Sequence, residues 1–151
     1  MVVSSITIRN DVYNAIRTLL VANKPSYTDK DDNIREYTIL SEFSRDNPSF
    51  PQIVINSANI NVSLITLDGG TNEQMVDVQL DFYEKQDFGF GAIESGIDSV
   101  QNTILTNQSS LKDDDKLVLM EEPFDESNPA NFEENNQQIN TKSFIIKLKL
   151  T

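Results

Sequence analysis

The stretch Val76–Val100, VDVQLDFYEKQDFGFGAIESGIDSV, changes its hydrophobic period half way along. Val76, Val78, Leu80 and Phe82 alternate with Asp77, Gln79, Asp81 and Tyr83, the pattern of a strand with one face buried. From Ile93 the spacing becomes helical. Ile93, Ile97, Val100 and Ile104 follow steps of four, three and four, the stripe of a helix laid on a sheet. Gly89 and Gly91 stand between the two patterns and predict a strand-to-helix elbow, with the helix starting near Ala92. The glycines also imitate a phosphate loop, but the imitation fails. A dinucleotide fingerprint needs G-x-G-x-x-G, and here the third glycine is Gly96, five residues after Gly91. Gly91 and Gly96 have Walker A spacing, yet Ile97 replaces the lysine and Asp98 the hydroxyl. Gly96 falls inside the helical stripe, where glycine costs about 1 kcal/mol against alanine but permits close packing.

Working outward, Ile8, Val12, Ala15, Ile16, Leu19 and Leu20 share one face of a helix over 8–22, with Asn10 and Asp11 near its start. Lys24-Pro25 ends it, because the residue before proline avoids helical geometry. Polar residues 25–36 read as a loop. Tyr37, Ile39, Ser41 and Phe43 alternate as a strand, and Pro48 and Pro51 bracket a turn before a short buried strand at Ile53–Ile55. Another alternating run starts at Ile60, reaches Leu67 and closes on the turn residues Asp68-Gly69-Gly70. After the second helix, SSLKDDDK (109–116) reads as its solvent-exposed end, and Leu117–Met120 as a short strand. Residues 121–142 are acidic, Asn-rich and carry Pro123 and Pro129, which reads as a long loop. Phe144, Ile146, Leu148 and Leu150 form a last strand. The order predicts one α+β domain over 1–151, a mainly antiparallel sheet with two helices, near 8–22 and 92–107, on one face. Its expected core is Val12, Ile16, Leu19, Ile53, Ile55, Val62, Val78, Leu80, Phe82, Ile97, Val100, Ile104, Ile146 and Leu148.

Composition narrows the chemistry. The 151 residues include no cysteine and no histidine, so disulfides, thiolate metal sites and imidazole catalysis are excluded. The formal charge is −12, from 24 acidic and 12 basic residues, which opposes binding to a nucleic-acid backbone. Lys147 and Lys149 alternate on the last strand and read as a solvated face. DKDDN (29–33) matches three ligand positions of a calcium loop, but Ile34 replaces its glycine and Leu40 its bidentate glutamate. Asp113–Asp115 cannot all face one ion. Glu121 with Glu122, or Asp77 with Asp81, has the form of an acid–base pair, and nothing marks a substrate pocket beside either. No catalytic residue, cofactor or metal is expected. No basic-then-apolar leader and no apolar run of about 20 residues is visible, so a soluble protein made in the cytoplasm, without membrane contact, is expected.

The order of motifs adds a resemblance. An amphipathic helix, then SFPQIVINS (49–57), VDVQLDFYEK (76–85), a glycine elbow, an Ile-striped helix and SFIIKLKL (143–150) resemble the tail terminator, or tail completion, proteins of long-tailed phages and archaeal tailed viruses. Phe50-Pro51-Gln52-Ile53-Val54-Ile55 resembles a strand motif of that family. The resemblance implies a structural virion protein, not an enzyme, located in the tail or neck. It implies a self-assembled ring, usually a homohexamer, that caps the tail tube, stops its polymerisation and performs head–tail joining. The partners implied are further copies of itself, the tail tube protein and a neck or head-completion protein. DNA would pass through an acidic lumen without specific binding. A head-completion or neck connector ring is the nearer alternative. A small carboxylate- and divalent-ion-dependent enzyme or ligand-binding domain is the distant one. The expected interface residues are Phe124 and Phe132, as apolar anchors in the acidic loop at 121–142, with Phe88 and Phe90 beside the flexible glycines. For Phe88 and Phe90, core packing under the helix is the competing reading.

Overall fold

The fold was obtained as a computed structural model, and it describes residues 5–43, 48–66 and 72–150. The change of period at 76–100 becomes strand β6 (Asn72–Lys85), then a 3-10 turn at Gln86–Phe88, then helix α2 (Phe90–Thr106). Gly89 makes the elbow with φ +75°, a region that glycine enters without steric cost. Gly91 takes no part in the turn. It lies in the first turn of α2, where no atom would stand within 4 Å of an added Cβ.

Around this unit stand α1 (Ser5–Ala22), β3 (Thr38–Leu40), β4 (Gln52–Ile55), β5 (Asn61–Thr66), β7 (Leu117–Glu126), β8 (Ala130–Glu134) and β9 (Gln137–Leu150). The two long strands β6 and β9 pair antiparallel from Met75↔Lys149 to Lys85↔Ile139 and form the spine of a seven-stranded sheet. One side of the spine carries β5 against the first half of β6, and β4 followed by β3 against its second half. The other side carries β7 and β8 along β9. Every pairing in this sheet is antiparallel except β3 with β4. The architecture is α+β, as expected, with a mixed rather than purely antiparallel sheet.

Because alternate residues face opposite sides, Val76, Val78, Leu80 and Phe82 of β6 align with Leu148, Ile146, Phe144 and Lys142 of β9 on one face. The apolar members of this set are buried against Val12, Ile16 and Leu20 of α1 and Ile93, Ile97, Val100 and Ile104 of α2. Twelve of the fourteen expected core residues are buried, while Leu19 and Val62 are half-buried at its margin. Tyr37 fills the centre. Its ring lies where a Cβ on Gly96 would come within 2.6 Å, and its hydroxyl donates to the Ala92 carbonyl at 2.9 Å. Gly96 thus performs the close packing inferred from its place in the stripe.

Four expectations need correction. Residues 121–142 are not a loop. They continue β7 through Glu126, form β8 and begin β9, so that 117–150 is one long hairpin. Its tip is Asn135-Asn136, both with positive φ (53° and 62°), the two-residue turn whose twist suits flanking strands. The ladder jumps between Leu119 and Phe124, and Pro123 falls in that irregularity; Pro129 falls in the gap before β8. Residues 25–36 contain a separate two-stranded hairpin, β1 (Ser26–Thr28) with β2 (Ile34–Glu36). Residues 109–116 do not simply end the second helix. They lie in α3 (Gln108–Asp115), anchored by buried Leu111 and stopped by Lys116 in the left-handed region, so the described residues form three helices and not two. The strand expected over 37–43 is only Thr38–Leu40. Leu67 and the turn Asp68-Gly69-Gly70 lie outside the described residues.

Candidate functional site: the hairpin arm and its root

The buried face of β6 continues past Phe82 to Glu84, a carboxylate at a core position, fully buried. It is neutralised completely. Arg35 of β2 grips it two-pronged, Nε to Oε2 and Nη2 to Oε1, both at 3.1 Å. Tyr27 of β1 donates its hydroxyl to Oε2 at 2.6 Å, and the Lys85 backbone N–H donates to Oε1 at 2.9 Å. Arg35 also donates to the Phe50 carbonyl at 3.2 Å and lies 3.9 Å over the Phe88 ring. Burial works against the Arg35 charge, but the hydrogen bonds and attraction from Glu84 outweigh it and raise its pKa further. Burial, reinforced by Glu84, pushes the Tyr27 hydroxyl well above the usual tyrosine value. Every oxygen of Glu84 is engaged within the chain. The cluster is a pin fastening the β1–β2 hairpin to the end of the sheet.

Beside the pin lies the end of the long hairpin, the hairpin arm, whose β9 strand still pairs with β6 as far as Ile139. Lys142 at its root sits on the helix-side face and bridges Glu94 of α2 at 2.7 Å and Glu126 of β7 at 3.4 Å. Hydrogen bonding to Glu94 raises its pKa, against the opposing effect of burial. Beyond the root, β8 pairs with β9 from Ala130↔Thr141 to Glu134↔Gln137 and with no other described strand. Ala130, Asn131 and Glu133 are exposed.

The four aromatics expected at an interface go to different places. Phe124 stacks on Phe144 at 5.3 Å, packed against the core from β7 rather than standing in a loop. Phe88 lies under Arg35, and both Phe88 and Phe90 are half-buried against the core, the competing reading for this pair. Phe132 lies on the sheet face away from the helices, paired with Ile139 and alongside Tyr83 and Phe43. Ring centroids are 5.8 Å from Phe132 to Phe43, 4.8 Å from Phe43 to Tyr83 and 6.3 Å from Phe43 to Phe50. All four rings of this outer cluster are half-buried.

Of the acidic pairs weighed in the sequence, Glu121 and Glu122 are exposed in the irregular part of β7, while Asp77 and Asp81 lie on β6. Asp81 accepts from Ser143 at 2.6 Å and from Gln79 at 2.9 Å on the outer face. Asp77 aligns with Lys147. In the calcium-like loop, Asp29 Oδ1 accepts the backbone N–H groups of Asp31 and Asn33, both at 2.9 Å, so this carboxylate closes the β1–β2 turn. Sequence reasoning missed Tyr27, Arg35 and Glu84. The usable signal was Glu84 itself, a charge at the inward parity of a strand, directly after the apolar inward positions Val76, Val78, Leu80 and Phe82.

Among the described residues no helix is long and apolar enough to cross a membrane. No protein-family model matches the chain, and comparison with curated proteins finds no match.

Proposed function

We propose that this chain is a ring-forming structural protein of the tail-terminator kind, capping a viral tail tube and joining it to the neck. The observation that carries the reading is the hairpin arm. Strand β8 has a partner along one edge only among the described strands, and it holds half-buried Phe132 beside Phe43 and Tyr83. An open strand edge is a liability for an isolated domain and a ready surface for a neighbouring copy. Aromatic side chains are enriched where such contacts are strongest. The charge of −12 suits a channel through which DNA slides without adhering. Catalysis forms no part of this reading, since Glu84 is fully engaged and imidazole and thiol groups are absent from the sequence.

The test is Phe132→Asp, introduced into the virus and also purified. Circular dichroism establishes that the domain still folds. Overlong tails, many without heads, are the expected result. Tails of normal length that lack heads would indicate a neck connector instead. Normal particles, with normal tails and heads, would overturn the proposal.

A further inference from the structure

A groove of about 940 Å³ runs between α1 and the corner where α3 meets β7, on the opposite side of the helix layer from the arm's outer aromatic face. Its long wall is a complete face of α1. Ile8, Asp11, Val12, Ala15, Thr18 and Leu19 follow the three- and four-residue steps of one helical side. Leu111, Leu117 and Leu150 close the other wall. Val12, Ala15, Leu111 and Leu117 make a buried floor, and Leu19 and Leu150 are half-buried lips. From Ile8 to Leu19 the wall spans about 17 Å, the length of roughly three helical turns.

The rim is acidic. Asp11, Asp114 and Asp115 border the groove, and the lysine among its lining residues, Lys116, donates to the Asp113 carbonyl at 2.8 Å. Burial and the neighbouring Asp114 hold the Asp115 carboxyl above the usual range, so its charge stands in an unfavourable field that a cation would relieve. Such a rim repels nucleic acid and anionic lipid. An apolar trough walled by a helix, with carboxylates along its edge, complements an amphipathic helix carrying lysine or arginine beside its apolar stripe. We infer that this groove docks a basic amphipathic helix of a partner protein. The inference rests on the groove alone and stands whether or not the chain forms a ring.

The probe is a labelled leucine–lysine peptide about 18 residues long, above the length at which isolated helices become marginal. Its leucines follow helical spacing. A second peptide of the same composition has alternating leucines. Binding to the full chain is followed by fluorescence anisotropy. The helical peptide is expected to bind more tightly than the alternating one, and less tightly as salt rises. Asp114→Asn with Asp115→Asn should weaken it about tenfold, the loss of two surface ion pairs. Asp31→Asn with Asp32→Asn makes the same change of charge in the β1–β2 turn and should leave binding unchanged. Thr18→Arg, at an exposed position on the groove wall, should abolish it. Equal weakening by the two double variants, or equal binding of the two peptides, would overturn the inference.

Discussion

Gly96 and Tyr37 show how little room a single residue can have. An added Cβ at Gly96 would stand 2.6 Å from Cε2, Cζ and the hydroxyl of Tyr37, whose ring is itself fixed against Phe82 at 5.6 Å. Gly96→Ala is therefore expected to destabilise the protein by about 1–3 kcal/mol despite its better helix propensity, as overpacking does. Gly91→Ala, in the same helix with open space around it, should stabilise by up to about 1 kcal/mol. Urea unfolding of the two variants measures both, and opposite signs are the expected outcome. At the pin, Glu84→Leu leaves Arg35 without its carboxylate in a partly buried site and should cost about 3–5 kcal/mol. The hydroxyls of Tyr27 and Tyr37 carry a pH signature. Both are raised above the ordinary 10.0 by burial first, with Glu84 next, through its hydrogen bond at Tyr27 and its charge at Tyr37. Folding then favours their protonated forms. Their contribution to stability is complete below pH 10.0 and is lost as the pH climbs above it toward the folded-state values. Urea midpoints should fall on the alkaline side of pH 10.0, and Tyr27→Phe should reduce that slope.

At the scale of elements, the hairpin over 117–150 is the feature that the sequence concealed. Acidic residues, asparagines and two prolines resemble a loop, yet the prolines stand at the jump in the ladder and at the gap before β8, where no ladder hydrogen bond is required of them. The cue that was legible is Asn135-Asn136, since asparagine tolerates the left-handed region better than most residues. Asn136→Gly should stabilise the arm by about 0.5 kcal/mol, glycine being the preferred second residue of such a turn. Asn136→Val should loosen β8 while the body stays folded, because β8 is paired along one edge only, to β9, and lies outside the aliphatic core. Hydrogen exchange at residues 130–134 and 137–141 reads both effects.

At the scale of the whole molecule, two layers meet in one core, and the helix side and outer side of the sheet differ in kind. The helix side is filled with aliphatic residues around Tyr37, Phe82 and Phe144. The outer side is polar along most of the spine and becomes aromatic only near Phe43, Phe50, Tyr83 and Phe132. Ile97 lies 2 % exposed between the layers. Ile97→Asp places an unpaired charge there and should abolish cooperative unfolding by circular dichroism, a loss of several kcal/mol. Phe132→Asp, at the half-buried outer cluster, should lower stability far less, and its main effect should fall on the proposed ring assembly.

The amino-acid sequence by itself determined what local periodicity can express. The steps of four, three and four in α2, the alternation in β6 and β9, and the glycine elbow between strand and helix are properties of neighbouring residues, and so is most of the core. Tertiary structure decided what depends on distant partners. Glu84 is buried because Arg35, 49 residues earlier, arrives on a hairpin too short to show a period. Residues 124–126 and 130–134 are strand because β9 supplies hydrogen bonds that their composition does not announce. The four aromatics expected at an interface were separated in the same way. Composition identified them as apolar, but only the register of the sheet decided that Phe124 faces the core and Phe132 the outer side. A one-residue change of register reverses a strand's faces, and register is set by pairing across the fold, beyond the reach of any local pattern.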